Sequence, residues 1–319
     1  ANISHYVVPI IFYPADVSPP SQAQIDALTN AYNAGRYWYS LHTGQTFEYL
    51  PVRAYRGEQN KDYYLSSDNY TKGSTKIMAN ILNEIAIHER SSLRTFGTPD
   101  TSFGWWDRAT MIYTKDMPLI ENPPRSWAQA LPLDRRGGYA MLSSVVLDTL
   151  AHDFVACNAY ADAILADDYN RWQLCTDFTE MGVIAHELAH TIAGLPDAAV
   201  ISQADSCQYD LMCNGSFHFK DDPTDSKDVN FNSVDLPRVL NSPFTNPPEI
   251  GSAEWNSYLP AVPIRFCFES DDPGGWCYPA TPYSGIPVPQ GEGGLKAVIS
   301  NGGDCNAFGC NGPSLSTNW

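Results

Sequence analysis

His186-Glu187-Leu188-Ala189-His190 sets two imidazoles four residues apart, with a carboxylate next to the first. On an α-helix, side chains at i and i+4 lie on one face, a turn apart. Two imidazoles so placed can aim ring nitrogens at one metal ion, at Zn–N distances of about 2.0–2.1 Å. Glu187 projects roughly 100° further around the helix, beside the pair rather than within it. From there a carboxylate can accept a proton from water polarised by the metal. The chemistry this spacing favours is metal-assisted hydrolysis, with His186 and His190 as ligands and Glu187 as general base. The plain alternative is a buried helix that merely carries two His. The chain has only seven His, so that coincidence is uncommon. The flanks, Met181 to Ala185 before the motif and Ile192 and Ala193 after it, are too apolar for a surface helix. Ionisable groups inside such a helix need a partner.

The residues after the motif extend the pattern. Gly194 follows His190 by four residues and Asp197 follows Gly194 by three. A glycine there can take the left-handed conformation that ends a helix and turns the chain back toward the metal. Next comes Cys207-Gln208-Tyr209-Asp210-Leu211-Met212-Cys213, a methionine in a tight, Cys-flanked segment. Together these residues resemble the metzincin clan of zinc peptidases. The clan pattern is HExxHxxGxxH, with Asp replacing the last His in some branches. Here the clan's glycine position is Ala193 and its third-ligand position is Pro196. Glycine and acid are each displaced by one, to Gly194 and Asp197, with their interval kept. The resemblance implies Asp197 as third zinc ligand, Met212 as the Met-turn methionine beneath the metal, and a polypeptide as substrate. Asp205, His218 and His152 are competing ligands at no recognisable spacing, and a simple core methionine is the alternative reading of Met212. Tyr209 is near enough in sequence to be tested as an oxyanion partner.

Several elements must hold this motif. Tyr6–Phe12 reads as a buried strand. A helix capped by Ser21 runs through Ile25, Leu28, Tyr32 and Trp38 and ends at Gly44. Thr46–Leu50 with Val52 reads as a second strand, and Ser74–Arg90 as a second helix with Ile77, Ile81 and Ile85 on one face. Thr110–Thr114, Gly138–Leu142 and Val145–Leu147 read as three further strands. The motif helix opens at Asp177, with Glu180 three residues on at a capping-box spacing. The resulting order, β-α-β-α-β-β-β-α, predicts an α+β fold. Its metzincin-like catalytic domain has a twisted, mostly parallel five-stranded sheet with an antiparallel edge strand, two crossover helices and an active-site helix. By resemblance, Gly138–Leu142 is the antiparallel edge, and Gly138, Tyr139 and Ala140 hold substrate by strand addition. An ordinary hairpin strand is the other reading.

Composition bounds the rest. The chain has 319 residues, with 36 Asp and Glu against 19 Lys and Arg, for a net charge of −17. That balance argues against nucleic acid and anionic membranes, both of which require clustered cations. No apolar run is long enough to span a bilayer. The sequence starts Ala1-Asn2-Ile3, as a processed, secreted chain would. All eight cysteines, Cys157, Cys175, Cys207, Cys213, Cys267, Cys277, Cys305 and Cys310, come after residue 150 and none forms CxxC. An even count without zinc-knuckle spacing predicts four disulfides and an oxidising compartment, with neighbours in sequence as the simplest pairing.

Composition shifts near residue 244, and Ser233–Leu240 reads as a closing helix with Val234, Leu236 and Leu240 on its apolar face. We expect a catalytic domain over 1–246. Residues 247–319 are then an irregular or β-rich, disulfide-tied extension. Trp255, Trp276 and Tyr278 there are either its core or stacking groups for a glycan. Asp221, Asp222, Asp225 and Asp228, with Asn230 and Asn232, form an acidic loop that could hold calcium but matches no EF-hand. The leading expectation is a secreted, monomeric zinc endopeptidase. A zinc amidase or esterase on non-protein substrates, and a non-catalytic metal-binding protein, remain as alternatives.

Overall fold

The computed structural model describes residues 5–66, 108–119, 128–132, 137–151, 177–195, 210–213 and 229–247, helical positions 77, 81, 84 and 85, and short strands beyond 263. Strand β1 (Tyr6–Tyr13) lies inside a sheet, parallel to β2 (Arg53–Arg56) on one side and to β3 (Arg108–Thr114) on the other. β5 (Gly138–Leu142) continues the sheet parallel to β3, and β4 (Ala128–Pro132) adds antiparallel to β5. The order is β2-β1-β3-β5-β4. β3 and β5 are buried throughout, as near-continuous apolar strands covered on both faces should be. β2 carries Arg53 and Arg56 and is partly exposed, which suits an edge.

Successive residues of these strands face opposite sides. Val7, Ile11, Met111, Tyr113, Ala140 and Leu142 join a core that includes helices α1 (Gln22–Thr43), α3 (Ser144–Leu150), α4 (Asp177–Ala193) and α5 (Asp235–Leu240). Val8, Ile10, Phe12, Ile112, Tyr139 and Met141 face the other way, onto Ile77, Ile81, Ile85 and Tyr64 of the one-turn helix α2 (Lys61–Tyr64). Helix α1 begins as its sequence predicts. The Ser21 side chain accepts from Gln24 N while Gln24 returns a bond to Ser21 N, and the helix ends on Gly44 at φ 70°.

Four expectations need correction. The second strand is not Thr46–Leu50: Tyr49 makes one isolated bridge to Val7, and pairing resumes only at Arg53. Pro51, which has no N–H to give the ladder, separates the two. Val145–Leu147 is not a strand but lies in α3, where the Ser143 side chain accepts from Val145 N and every residue is buried. Local capping and burial there override the strand preference of two valines. Gly138–Leu142 is an interior parallel strand, not the antiparallel edge; that place belongs to β4, a short strand ending in Pro132 that carries no clear alternation. Gly137, at φ 100°, serves the turn into β5 rather than an open edge. The closing helix turns Val239 inward and leaves Val234 exposed.

Beyond residue 263, β6 (Ile264–Phe268), β7 (Trp276–Cys277), β8 (Ala297–Ile299) and β11 (Ser314–Leu315) form one small sheet, and β9 (Cys305–Asn306) pairs β10 (Gly309–Cys310). Their registers set Cys267 opposite Cys277 and Cys305 opposite Cys310. Among the described residues, no helix is long and apolar enough to cross a membrane.

Candidate metal centre

Helix α4 stops where Gly194 enters the left-handed region at φ 61° and donates its N–H to the His190 carbonyl, 3.0 Å away. That turn sends Leu195 back under the helix, and the Leu195 carbonyl comes within 2.5 Å of His190 Nδ1. A second carbonyl, from Leu211, lies 2.7 Å from His186 Nδ1. A carbonyl oxygen can only accept, so each Nδ1 must carry the proton. The lone pair of each neutral ring is then on Nε2. The two Nε2 atoms converge to 3.0 Å, with the rings at 87° to each other. Two lone pairs so close repel unless a cation lies between them. Tetrahedral zinc with two imidazoles holds the nitrogens about 3.3–3.4 Å apart, close to what is found. The donor set therefore suits a zinc-like divalent ion, with both rings oriented by backbone carbonyls as metal-binding imidazoles usually are. Among the described residues no group of three His, Cys, Asp or Glu side chains gathers around one point. Asp197, and its competitors His152, Asp205 and His218, lie outside the described residues.

Glu187 is buried, with 6 % of its surface exposed. It shares a helix face with Thr191, whose hydroxyl lies 3.7 Å from Met111 Sδ on β3. Tyr113, two residues along that strand on the same side, shares a 2.9 Å hydrogen bond with Tyr32 of α1. Burial pushes the Tyr113 phenol well above its usual range; the bond to Tyr32 opposes this and the Glu187 charge adds to it. The general-base candidate is thus buried, and near enough to the Tyr113 phenol for its charge to act on it.

A tight turn lies beside His186. Met212 is fully buried in the core that contains Leu188 and Ala189. The Asp210 carboxylate accepts from Met212 N at 3.0 Å, and Leu211 N donates to the Asn230 carbonyl at 3.0 Å. The Asn232 amide donates to Asp210 Oδ2 at 2.6 Å and to Asp235 Oδ2 at 2.7 Å. Burial foremost, then the charge of Asp210, raises the Asp235 carboxyl above the ordinary carboxylate range; Asn232, Arg238 and His190 pull it back.

His186, Glu187 and His190 thus lie together on α4, and Met212 is buried in the core that Leu188 and Ala189 of that helix also enter. The expected substrate residues do not join them. Tyr139 packs on the opposite sheet face with Met141 and Ile112, Ala140 is buried on the α4 side, and Gly138 is paired on both flanks. Cys213 is disulfide-bonded, and Cys157, Cys175 and Cys207 lie outside the described residues, as do Tyr209, Asp221, Asp222, Asp225 and Asp228. The two asparagines expected beside the acidic loop are engaged elsewhere. Asn230 Oδ1 lies 2.5 Å from His42 Nδ1, and Asn232 bridges two carboxylates. The orienting carbonyls of Leu195 and Leu211 escape sequence reading because every residue has a carbonyl. The Asp210–Asn232–Asp235 group had one faint signal, an Asn three residues ahead of an Asp where a helix starts.

No protein-family model matches the chain. No curated protein matches it in sequence. Among solved structures, it is similar to a catalytically inactive OgpA from Akkermansia muciniphila in complex with an O-glycopeptide substrate, glycodrosocin. The two chains are 12% identical with a TM-score of 0.43, over 85% of this chain and 70% of that one. At that level the likeness is one of outline, from which neither fold nor activity follows.

Proposed function

We propose that this chain is a secreted zinc-dependent endopeptidase of metzincin type. The observation that carries the proposal is the convergence of His186 and His190 Nε2, each ring locked by a carbonyl on its far nitrogen, on a helix that also bears Glu187. When bound, the metal supplies Lewis-acid activation of water and of the scissile carbonyl. The carbonyls of Leu195 and Leu211 hold the imidazoles in the tautomer that can ligate. Glu187, largely shielded from bulk water, takes the water proton and returns it to the leaving amine. Asp197 completes the ligand set, reached by the turn at Gly194. A purely structural metal has no use for a carboxylate beside its ligands.

The substrate peptide runs along β4, the edge strand that packs against α4, pairing through backbone groups as an added strand. The eight cysteines form four disulfides, two of them Cys267–Cys277 and Cys305–Cys310. The chain works as a monomer outside the cell, with a catalytic domain over 1–246 and an extension over 247–319. Calcium in the 221–228 loop is a further proposal that rests on its acid content alone.

The test is direct. Purified protein should hold one zinc and hydrolyse casein; a zinc chelator should abolish hydrolysis, and Glu187→Ala should abolish it with zinc retained. Turnover confined to small amides or esters would select a non-peptide hydrolase. Zinc held with no hydrolysis at all would select a binding protein.

A further inference from the structure

We propose that Asn232 is a positioning residue for the metal centre. Its side-chain amide ties Asp210 to Asp235 and so holds the turn whose Leu211 carbonyl orients His186. This rests on the reading of His186 and His190 as metal ligands. Every hydrogen-bonding position of the Asn232 amide is used. Nδ2 gives one N–H to Asp210 Oδ2 at 2.6 Å and the other to Asp235 Oδ2 at 2.7 Å. Oδ1 accepts from Val234 N and from Asp235 N, both at 2.8 Å. The reverse orientation of the amide would aim an oxygen at two carboxylates, so the network itself fixes which atom is nitrogen.

The consequence reaches the metal in three steps. Asp210, gripped by Asn232, accepts the Met212 N–H at 3.0 Å and sets the turn. Leu211, inside that turn, presents its carbonyl to His186 Nδ1 at 2.7 Å. His186 Nε2 then meets His190 Nε2 at 3.0 Å. The far end of α5 is tied to the same helix, where the Ser242 hydroxyl donates to the Ile192 carbonyl. Asp210 and Asp235 are like charges brought together, and a neutral residue with two N–H groups is the simplest group that can join them.

Asn232→Ser keeps an oxygen able to cap α5 but leaves one short O–H in place of two N–H groups, so it cannot join both carboxylates. Asp210→Asn keeps an acceptor for Met212 N while setting an amide against the Asn232 amide, and serves if the first variant does not fold. Ser21→Ala, a lost cap remote from the site, controls for general destabilisation. Zinc transfer to a chromogenic chelator and the visible spectrum of the cobalt-substituted protein are measured on the full chain. We expect either variant to release zinc about tenfold faster or more, with a shifted cobalt band, and the Ser21 variant to match the wild type. Release within twofold of wild type and an unchanged cobalt band would overturn the role of Asn232 while leaving the metal centre standing. A wild-type chain that takes up no stoichiometric zinc would overturn both.

Discussion

Tyr32 and Tyr113 meet hydroxyl to hydroxyl at 2.9 Å inside the core, joining α1 to β3. Neither group reaches water. Replacing one by Phe strands the other, at about 1–3 kcal/mol. Replacing both removes donor and acceptor together. Urea unfolding should therefore show Tyr32→Phe and Tyr113→Phe each destabilising, with the double variant well short of their sum. Simple additivity would mean that the bond contributes nothing.

Ligand and base should separate cleanly. Glu187→Gln is expected to lower kcat about 10²–10⁴-fold with zinc retained. His190→Ala is expected to lose the metal itself, and with it the stabilisation that a bound ion gives the folded state. Metal content and melting temperature, measured beside turnover, distinguish the two. Loss of zinc in the Glu187 variant would contradict the assignment of roles.

Gly194 links helix termination to ligand orientation, since its φ of 61° delivers the Leu195 carbonyl to His190. A Cβ at this angle costs about 1–2 kcal/mol. Gly194→Ala should lower stability by that amount and also speed zinc release. A stability loss with unaltered metal kinetics would uncouple the turn from the site.

His5 gives a pH signature. Its ring is buried against Phe244, and burial foremost, then the Arg108 charge, lowers its pKa from 6.5 to about 3. The folded chain keeps this imidazole neutral, whereas the unfolded chain protonates it below pH 6.5. Stability from this group is thus complete above pH 6.5 and drains away as pH falls toward 3. Between pH 7 and 4.5 the loss should be about 2–3 kcal/mol. His5→Phe should lose less over the same interval, measured by denaturant unfolding at both values. Equal acid sensitivity in the two proteins would refute it.

Sequence alone carried the parts whose physics is local. Ser21 announces a capped start, Gly44 and Gly194 announce stops, and His186 to His190 announce a face. What failed was decided at a distance. Val145 and Val146 look like a strand until the rest of the core closes round them. Gly138–Leu142 looks like an edge until β4, with no pattern of its own, takes that place. Nothing near His186 in sequence indicates that Leu211 will orient it. Nor does Asn232 advertise that it will join Asp210, twenty-two residues before it.

The position of β1 has a consequence for how the chain reaches this state. An apolar strand near the start of the sequence has one neighbour ending at Arg56 and the other at Thr114, so a nascent chain must carry one of its edges unpaired until the second has been synthesised. Such late-satisfied parallel pairing is slow and leaves sticky backbone open to other molecules. Truncations that stop short of residue 108 should precipitate rather than fold, and shielding by a chaperone during production should raise the soluble yield.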